Sequence, residues 1–343
     1  MKPGIAAQLR PGDMLPPLPT PSRRRRWGWV PGVLVLAAFL VFVLTRYAEE
    51  EKLAQLFLQA RPAWLLVGAG FQVGTYLCAA VLWRRVLLRT GVHAPLLSLA
   101  RLSIMKLSFD QIFPSAGLGG SLVVARGLRR EGASASAAAA SVIITNLCLY
   151  AAQALALGIS LLFLWYRREL NPLVKWLAAS FSILLAIVPA TTLWLTRRQS
   201  WLGARWIRRI PGLEPLLRTL SQVPPRLLRD PRLLAEGTLL SLAIFLLDAA
   251  TLGATLRALG HTALPSTVLV SFMLASVAET VSIIPGGVGT FEAACVGMLN
   301  YLGVPLETAL TGTLLLRGFT LWLPLPVGLL LLRGSVPEEK QDG

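Results

Sequence analysis

The chain is poor in the residues that build most active sites and cross-links. Among 343 residues there are three cysteines and two histidines. Cys78, Cys148 and Cys295 stand singly in apolar segments, and no Cys-x-x-Cys pair occurs. That spacing excludes a disulfide framework, and buried packing is the role expected of all three. His93 and His261 fall at segment edges far apart in sequence, so no metal centre built on histidine and cysteine is expected. No Gly-Lys-Ser/Thr follows a glycine-rich run, and no dinucleotide fingerprint follows a strand. Ser, His and Asp cannot be assembled into a nucleophile–base constellation from segments that would meet. Neither catalytic residues nor a cofactor are expected, and enzyme chemistry within the chain is disfavoured.

Acidic residues are scarce as well, with 17 against 33 basic ones, for a formal net charge of +16. In a soluble domain this balance would suggest nucleic acid. Here 55% of the residues are hydrophobic and only 15% charged, and the apolar residues come in blocks of about twenty, the length that crosses a bilayer. The basic excess therefore marks cytoplasmic loops of an inner (cell) membrane protein. Its natural partners are membrane lipids, anionic phospholipids above all, and not nucleic acid.

Along the chain, residues 1–26 are Pro-rich and end in Arg23–Arg26. They read as a disordered, basic cytoplasmic tail. The apolar run 27–44 has no small-residue cleavage site after it, so it reads as an uncleaved first span. Pro62–Leu82 is the second span, with proline at a permitted first-turn position. The apolar stretch 95–113 breaks at Pro114-Ser115-Ala116-Gly117-Leu118-Gly119-Gly120, resumes over Ser121–Ala125 and ends near Arg126. Both flanks are basic, which predicts a re-entrant hairpin opening to the cytoplasm. Ala133–Trp165 reads as one tilted or broken crossing, and Leu173–Leu195 crosses back. The region 197–232 is rich in arginine, tryptophan and proline and reads as a cytoplasmic loop lying at the interface. Leu233–Leu256 crosses outward, Pro265–Ile284 and Thr290–Leu302 form a second re-entrant hairpin, and Leu306–Leu332 crosses inward to a polar tail, 334–343. Both termini are thus expected in the cytoplasm.

The expected fold is all-α and polytopic, with about six crossings and two hairpins. The halves, about 27–165 and 173–333, share their order of elements at an offset of 171, which places Pro114 on Pro285 and Gly132 on Gly303. Each half holds three crossings, an odd number, so the second half lies inverted. Inverted repeats with paired Gly/Pro-broken segments place a binding site at the midplane.

The most informative stretch is Pro285-Gly286-Gly287-Val288-Gly289-Thr290-Phe291-Glu292. One proline and three glycines in five residues cannot continue a spanning helix. Non-helical backbone at membrane depth survives only inside protein or beside a wet cavity. Ionisable groups inside spans are costly and tend to be paired or functional. Here they are Arg101, Lys106, Asp110, Asp248, Glu279, Glu292 and Arg317. Arg101 and Lys106 are expected to snorkel to the inner interface, and Lys106 and Asp110 to form an i,i+4 pair. Asp248 needs a partner or a cavity. Glu292 sits in a first helical turn favoured by the dipole, with Thr290 as its cap. Arg317 is the expected counter-ion for Glu292 or Glu279. A half-helix N-terminus also attracts anions, so a lipid phosphate is a credible guest.

The second broken motif, with Arg317 in the following span, resembles the transmembrane region of lysylphosphatidylglycerol synthases, which also occurs alone in flippase-like membrane proteins. Phe113-Pro114-Ser115-Ala116-Gly117 with Gly119, Gly120 and Arg126 resembles the first broken motif of that family. The resemblance covers about residues 30–333. It implies a membrane domain that moves or receives phospholipids. In full-length synthases this region precedes a cytoplasmic aminoacyl-transfer domain, and lysyl transfer is not expected of this chain. Two positions depart from the pattern: Ser121 stands where an acidic residue is usual and Asn146 where an arginine is, so the first hairpin is expected to have lost its charge pair. The leading expectation is translocation of a phospholipid or lipid-linked sugar, with Glu292 and Arg317 at the headgroup. Its rivals are a non-catalytic membrane subunit that anchors or regulates a lipid-modifying enzyme, an ion-coupled transporter of a small solute, and in either case a possible homo-oligomer.

Overall fold

A computed structural model describes residues 60–112, 118–167, 225–282 and 284–333, with residues 183 and 187. The tails 1–26 and 334–343, the spans expected over 27–44 and 173–195, most of the arginine-rich loop and the tip residues Pro114 and Gly117 lie outside the described residues. The described chain is helical, with no strand among its residues. Helix α1 spans Pro62–Arg89, α2 Leu96–Ile112, α3 Leu118–Arg130 and α4 Ala135–Arg167. A single turn, α5, covers Pro225–Leu228, followed by α6 (Pro231–Ala258), α7 (Pro265–Val281), α8 (Thr290–Tyr301), α9 (Leu306–Arg317) and α10 (Pro324–Arg333).

Among the described residues, four helical segments are long and apolar enough to cross a membrane: Pro62–Arg89, Ala135–Trp165, Pro231–Ala258 and Leu306–Gly328. They are the four expected crossings that fall among the described residues. Leu66, Leu162 and Leu239 remain 65–73% exposed on these spans, as side chains do that face lipid.

Proline opens α1, α6 and α7, where its missing N–H costs nothing and its fixed φ suits the first turn. α6 starts at Pro231, two residues before the expected boundary. The reason is Asp230, whose Oδ1 accepts the N–H groups of Arg232 (3.1 Å) and Leu233 (3.2 Å) and so caps the helix there. α4 runs unbroken for 33 residues, about 50 Å, so it is not broken and must tilt or project beyond the hydrocarbon.

The halves are inverted, and one helix pair shows it. α1 and α6 pack along their whole length in opposite directions. At one end the Arg61 N–H donates to the Ala258 carbonyl (2.8 Å), and the Arg257 guanidinium lies 5.1 Å from the centre of the Trp64 ring. Midway, Gln72 meets Asp248. At the other end Arg85 faces Glu236 (3.8 Å) and Arg89 contacts Asp230. α1 and α6 are both 28 residues long, and α2 and α7 are both 17. In each half the second hairpin arm also ends alike. Gly132 and Gly303 take left-handed φ (90° and 92°). The following N–H reaches back to Leu128 in one half (3.1 Å) and Leu299 in the other (3.0 Å), closing a Schellman-type cap.

The hairpins are α2 packed on α3 and α7 packed on α8. The larger core joins α4 and α6–α9 through Leu252, Leu256, Met273, Phe291, Cys295 and Leu316. A second joins α1–α4 around Trp83, Leu99 and Leu128. Close helix approach relies on small residues: a Cβ at Gly237 of α6 would stand 2.6 Å from the Cys148 Sγ of α4. Cys148 and Cys295 are buried and Cys78 half-buried, all as free thiols.

Candidate functional site

The last span is one helix, as the sequence reading had it, but it carries a π-turn in its middle. α9 ends at Arg317, a π-turn covers Gly318–Trp322, and α10 begins at Pro324. The Leu323 N–H bonds to the Gly318 carbonyl (2.9 Å) across this wider turn. Pro324 has no N–H to give to the Thr320 carbonyl four residues back, an orphan that membrane depth does not tolerate. Gln111, at the end of α2, supplies the missing donor: its Nε2 reaches the Thr320 oxygen at 2.9 Å. Ser108, one turn earlier, donates to the Pro324 carbonyl at 2.9 Å. Pro324 was the available signal for this π-turn. It ties the tip of the first hairpin to the last span.

The tip of the second hairpin meets the same place. After α7 the chain turns through a short 3-10 segment, Pro285–Gly287, and Gly286, Gly287 and Gly289 all have positive φ (62°, 60° and 86°). At Gly287 a side chain is barred twice. Its φ is left-handed, and a Cβ would stand 2.6 Å from Cγ of Glu279, so only glycine fits without displacing that carboxylate. Gly289 opens α8, and its N–H is held by Glu292 Oε2 at 2.6 Å. Thr290 does not cap this turn. It is already the first helical residue, and its hydroxyl donates back to the Gly287 carbonyl (2.9 Å).

Arg317 closes the arrangement. Its side chain is 4% exposed. Nε donates to Glu292 Oε1 at 2.6 Å, Nη1 to Glu279 Oε1 at 3.3 Å, and Nη2 to the carbonyls of Gly286 (3.0 Å) and Gly287 (3.4 Å). The guanidinium lies 4.2 Å from the centre of the Phe291 ring, in cation–π range, and Phe291 stands edge-on to Phe272. Glu292 sits in the first turn of α8, where the macrodipole favours a carboxylate. Two carboxylates face one cation. Glu292 is used up structurally, since both its oxygens are engaged and its side chain is 6% exposed. Glu279 is bound once and its side chain is 35% exposed. It is the acid at the site that retains open coordination. Opposite, the buried Gln111 Oε1 has no hydrogen-bond partner.

Asp248 lies apart from this cluster, in the α1–α6 interface. Gln72 Nε2 donates to its Oδ1 (2.8 Å) and to the Thr251 hydroxyl (3.1 Å). No cation pairs with it among the described residues, while Glu279 is near enough to repel it.

The first hairpin has not lost its charges. Lys106 Nζ and Asp110 Oδ2 pair at 2.7 Å, and Asp110 Oδ1 accepts the Gly120 N–H (2.9 Å) at the start of α3. The expected loss compared positions 121 and 146, whereas the carboxylate is supplied from the opposite arm. Gly119, Gly120 and Arg126 all lie on α3.

The family model described as the lysylphosphatidylglycerol synthase TM region matches residues 29–328. No curated protein matches the chain.

Proposed function

The chain belongs to the family of the lysylphosphatidylglycerol synthase TM region, and from that premise we propose that it is a phospholipid translocator of the cell membrane, with both termini in the cytoplasm. Lipid-linked sugar is the other cargo class this reading admits. Its substrate-facing group is Glu279, steered by Arg317, at the point where the two hairpin tips and the π-turn of the last span converge.

The observation that carries the reading is the imbalance at Arg317. A purely structural ion pair needs one carboxylate, and Glu292 already supplies it with both oxygens bound. The second carboxylate is held at 3.3 Å and stays partly open. It is free to exchange its contact with Arg317 for one with a lipid headgroup, either by accepting a cationic headgroup or by releasing the guanidinium to a phosphate. Intramembrane charges that are neither lipid-facing nor fully paired mark transport pathways, and inverted hairpins place such sites at the midplane.

The test uses purified protein in liposomes carrying headgroup-labelled phosphatidylglycerol in both leaflets, with an external quencher. The wild type is expected to expose the inner-leaflet label quickly, and Glu279→Gln to slow this at least about tenfold while remaining folded. No exchange of any of several phospholipids, with or without a proton gradient, would overturn the proposal.

A further inference from the structure

We infer that Asp248 is a proton-binding site coupled to Glu279, so that one proton moves for each lipid exchanged. Asp248 lies midway along α6, where that helix packs on α1. Its Oδ1 accepts from the Gln72 amide at 2.8 Å, and no other hydrogen bond reaches the carboxylate among the described residues. The residue is half-buried rather than sealed, so a proton can enter and leave. A lone acid at membrane depth needs either a cation or a proton.

No cation is placed to serve it among the described residues. α1 faces Asp248 with Gln72 and Tyr76. α4 carries no charged side chain between Ala135 and Trp165. α7 brings Glu279, which repels it. α9 brings Glu307 in its first turn and Arg317 in its last, and Arg317 is already held by Glu292 and Glu279. α5, beside the start of α6, carries Arg226. Arg84, Arg85 and Arg89 of α1 and Arg232, Glu236 and Arg257 of α6 stand toward the helix ends.

The donor set favours a proton over a metal ion. Gln72 presents its NH2 to the carboxylate and to the Thr251 hydroxyl, and that hydroxyl donates to the Leu247 carbonyl at 2.9 Å. The carboxylate thus meets a donor where a hard cation needs several oxygens. A proton needs one. Gln72 can hold Oδ1 in both states while Oδ2 takes and releases the proton.

The coupling runs through Glu279. Gln153 of α4 holds the turn that carries it, with Nε2 donating to the hydroxyls of Ser276 (3.4 Å) and Thr280 (3.3 Å). In the translocator reading, on which this step rests, Arg317 turns from Glu279 to a lipid phosphate. Glu279 then stands uncompensated, and two neighbouring carboxylates do not both stay ionised. Asp248 takes a proton from water at Oδ2. When Glu279 regains Arg317, that O–H bond breaks and the proton passes to water on the opposite side, as alternating access between inverted hairpins allows.

Two readouts separate the proton site from transport. The first is infrared spectroscopy of the purified protein in nanodiscs, titrated from alkaline to mildly acidic pH. The wild type is expected to gain a protonated-carboxyl band that shifts in heavy water. Asp248→Asn should lack this band, and Asp248→Glu should restore it. Glu279→Gln should keep the band but move its midpoint, because the repelling charge is gone. The inference is overturned if no titrating band is lost in Asp248→Asn, or if the midpoint in Glu279→Gln stays where it was. A band abolished by sodium at constant pH overturns it too, because Asp248 would then be a metal-cation site. The second readout is the leaflet distribution of labelled phosphatidylglycerol in liposomes under a pH gradient without a membrane potential. With one proton per lipid, a gradient of about one pH unit should skew that distribution by up to about tenfold. A protonophore or Asp248→Asn should abolish the skew, and Asp248→Glu should restore it. Lipid that exchanges yet stays evenly distributed under the gradient also overturns the inference. If the wild type exchanges no lipid while the band titrates, the translocator reading falls and the proton site stands.

Discussion

Glu279 and Glu292 face the same guanidinium, yet neutralising them should do different things. In Glu292→Gln the amide can replace only one of two acceptor oxygens, and its NH2 must then point at the Gly289 N–H or at Arg317. Either way a donor faces a donor. Arg317, 4% exposed, loses its closest counter-charge and keeps only the 3.3 Å contact to Glu279. Breaking one partner out of a buried ion pair costs about 3–5 kcal/mol. A thermal melt in detergent should therefore fall by roughly 4–7 °C. In Glu279→Gln the same chemistry is applied to a longer contact with a partly open carboxylate. Solvent and lipid-headgroup screening reduce such a pair to about 1 kcal/mol or less, so the melt should stay within about 2 °C of wild type. Lipid exchange should nonetheless drop at least about tenfold, the effect of losing one charged contact to the headgroup. The pair Arg317→Met with Glu292→Gln supplies the control. It removes the buried charge together with its partner and should melt higher than Glu292→Gln alone. The reasoning is refuted if Glu279→Gln melts as low as Glu292→Gln, or if it exchanges lipid at the wild-type rate.

Three further outcomes follow from the same geometry. Gly287→Ala combines a left-handed φ with a Cβ placed 2.6 Å from Glu279 Cγ, a strain of about 1–3 kcal/mol; it should lose lipid exchange more completely than Glu279→Gln, and normal exchange would show that the carboxylate need not be held where it stands. Asp248→Asn removes a charge with no paired cation among the described residues while an oxygen remains to accept from Gln72, so the protein should melt at or above the wild-type temperature; if translocation is proton-coupled, this variant loses its gradient dependence, and a melt lowered by more than a few degrees would show that Asp248 has a counter-ion. Asp110→Ala strips the Gly120 N–H of its acceptor and Lys106 of its partner, a loss of about 1–2 kcal/mol; hydrogen exchange should rise first in the opening turn of α3, and uniform protection there would refute the capping role.

Much of this architecture can be read from local signals, and the remainder depends on contacts between segments. Pro62 and Pro265 mark helix starts without any partner, because a proline's missing N–H is harmless only in a first turn. The glycines at 286, 287 and 289 mark the second tip for the converse reason. The Glu292–Arg317 contact is also legible, since a charge pair is the cheapest way to carry either group into a bilayer. What does not show in the sequence is which of two carboxylates is spent on structure. That depends on the Gly289 N–H pointing at Glu292, a matter of turn geometry. The π-turn before Pro324 was visible as a proline in an apolar run, but its consequence was not, because the residue that answers it, Gln111, lies in the other half of the chain.

The register of the repeat decides how alike the two tips are. Read at an offset of 171, Glu292 falls on Ser121, which carries no charge. The helices show two registers. α1 and α6, and α2 and α7, begin and end 169 positions apart, whereas Gly132 and Gly303, which end the second arms, are 171 apart. The two added residues therefore sit in the second tip, between α7 and α8. In the register of the first arms Asp110 is the counterpart of Glu279, so each half carries a carboxylate at the same point of its hairpin. The halves differ in what holds it. Asp110 is held by Lys106 within its own helix and by the N–H of Gly120. Glu279 is held by an arginine from a different helix, the last span. Asp110 is thus paired locally, and the contacts from α2 to the last span made by Ser108 and Gln111 are neutral. The second tip is fastened to that span by a buried charge. Any movement of the hairpins against this span thus meets less resistance at the first than at the second, and hydrogen exchange should separate them: faster at the C-terminal turn of α2 than at the C-terminal turn of α7. Equal protection at the two turns would mean that the neutral contacts hold as firmly as the ion pair, and the two halves would then be mechanically equivalent despite their different charges.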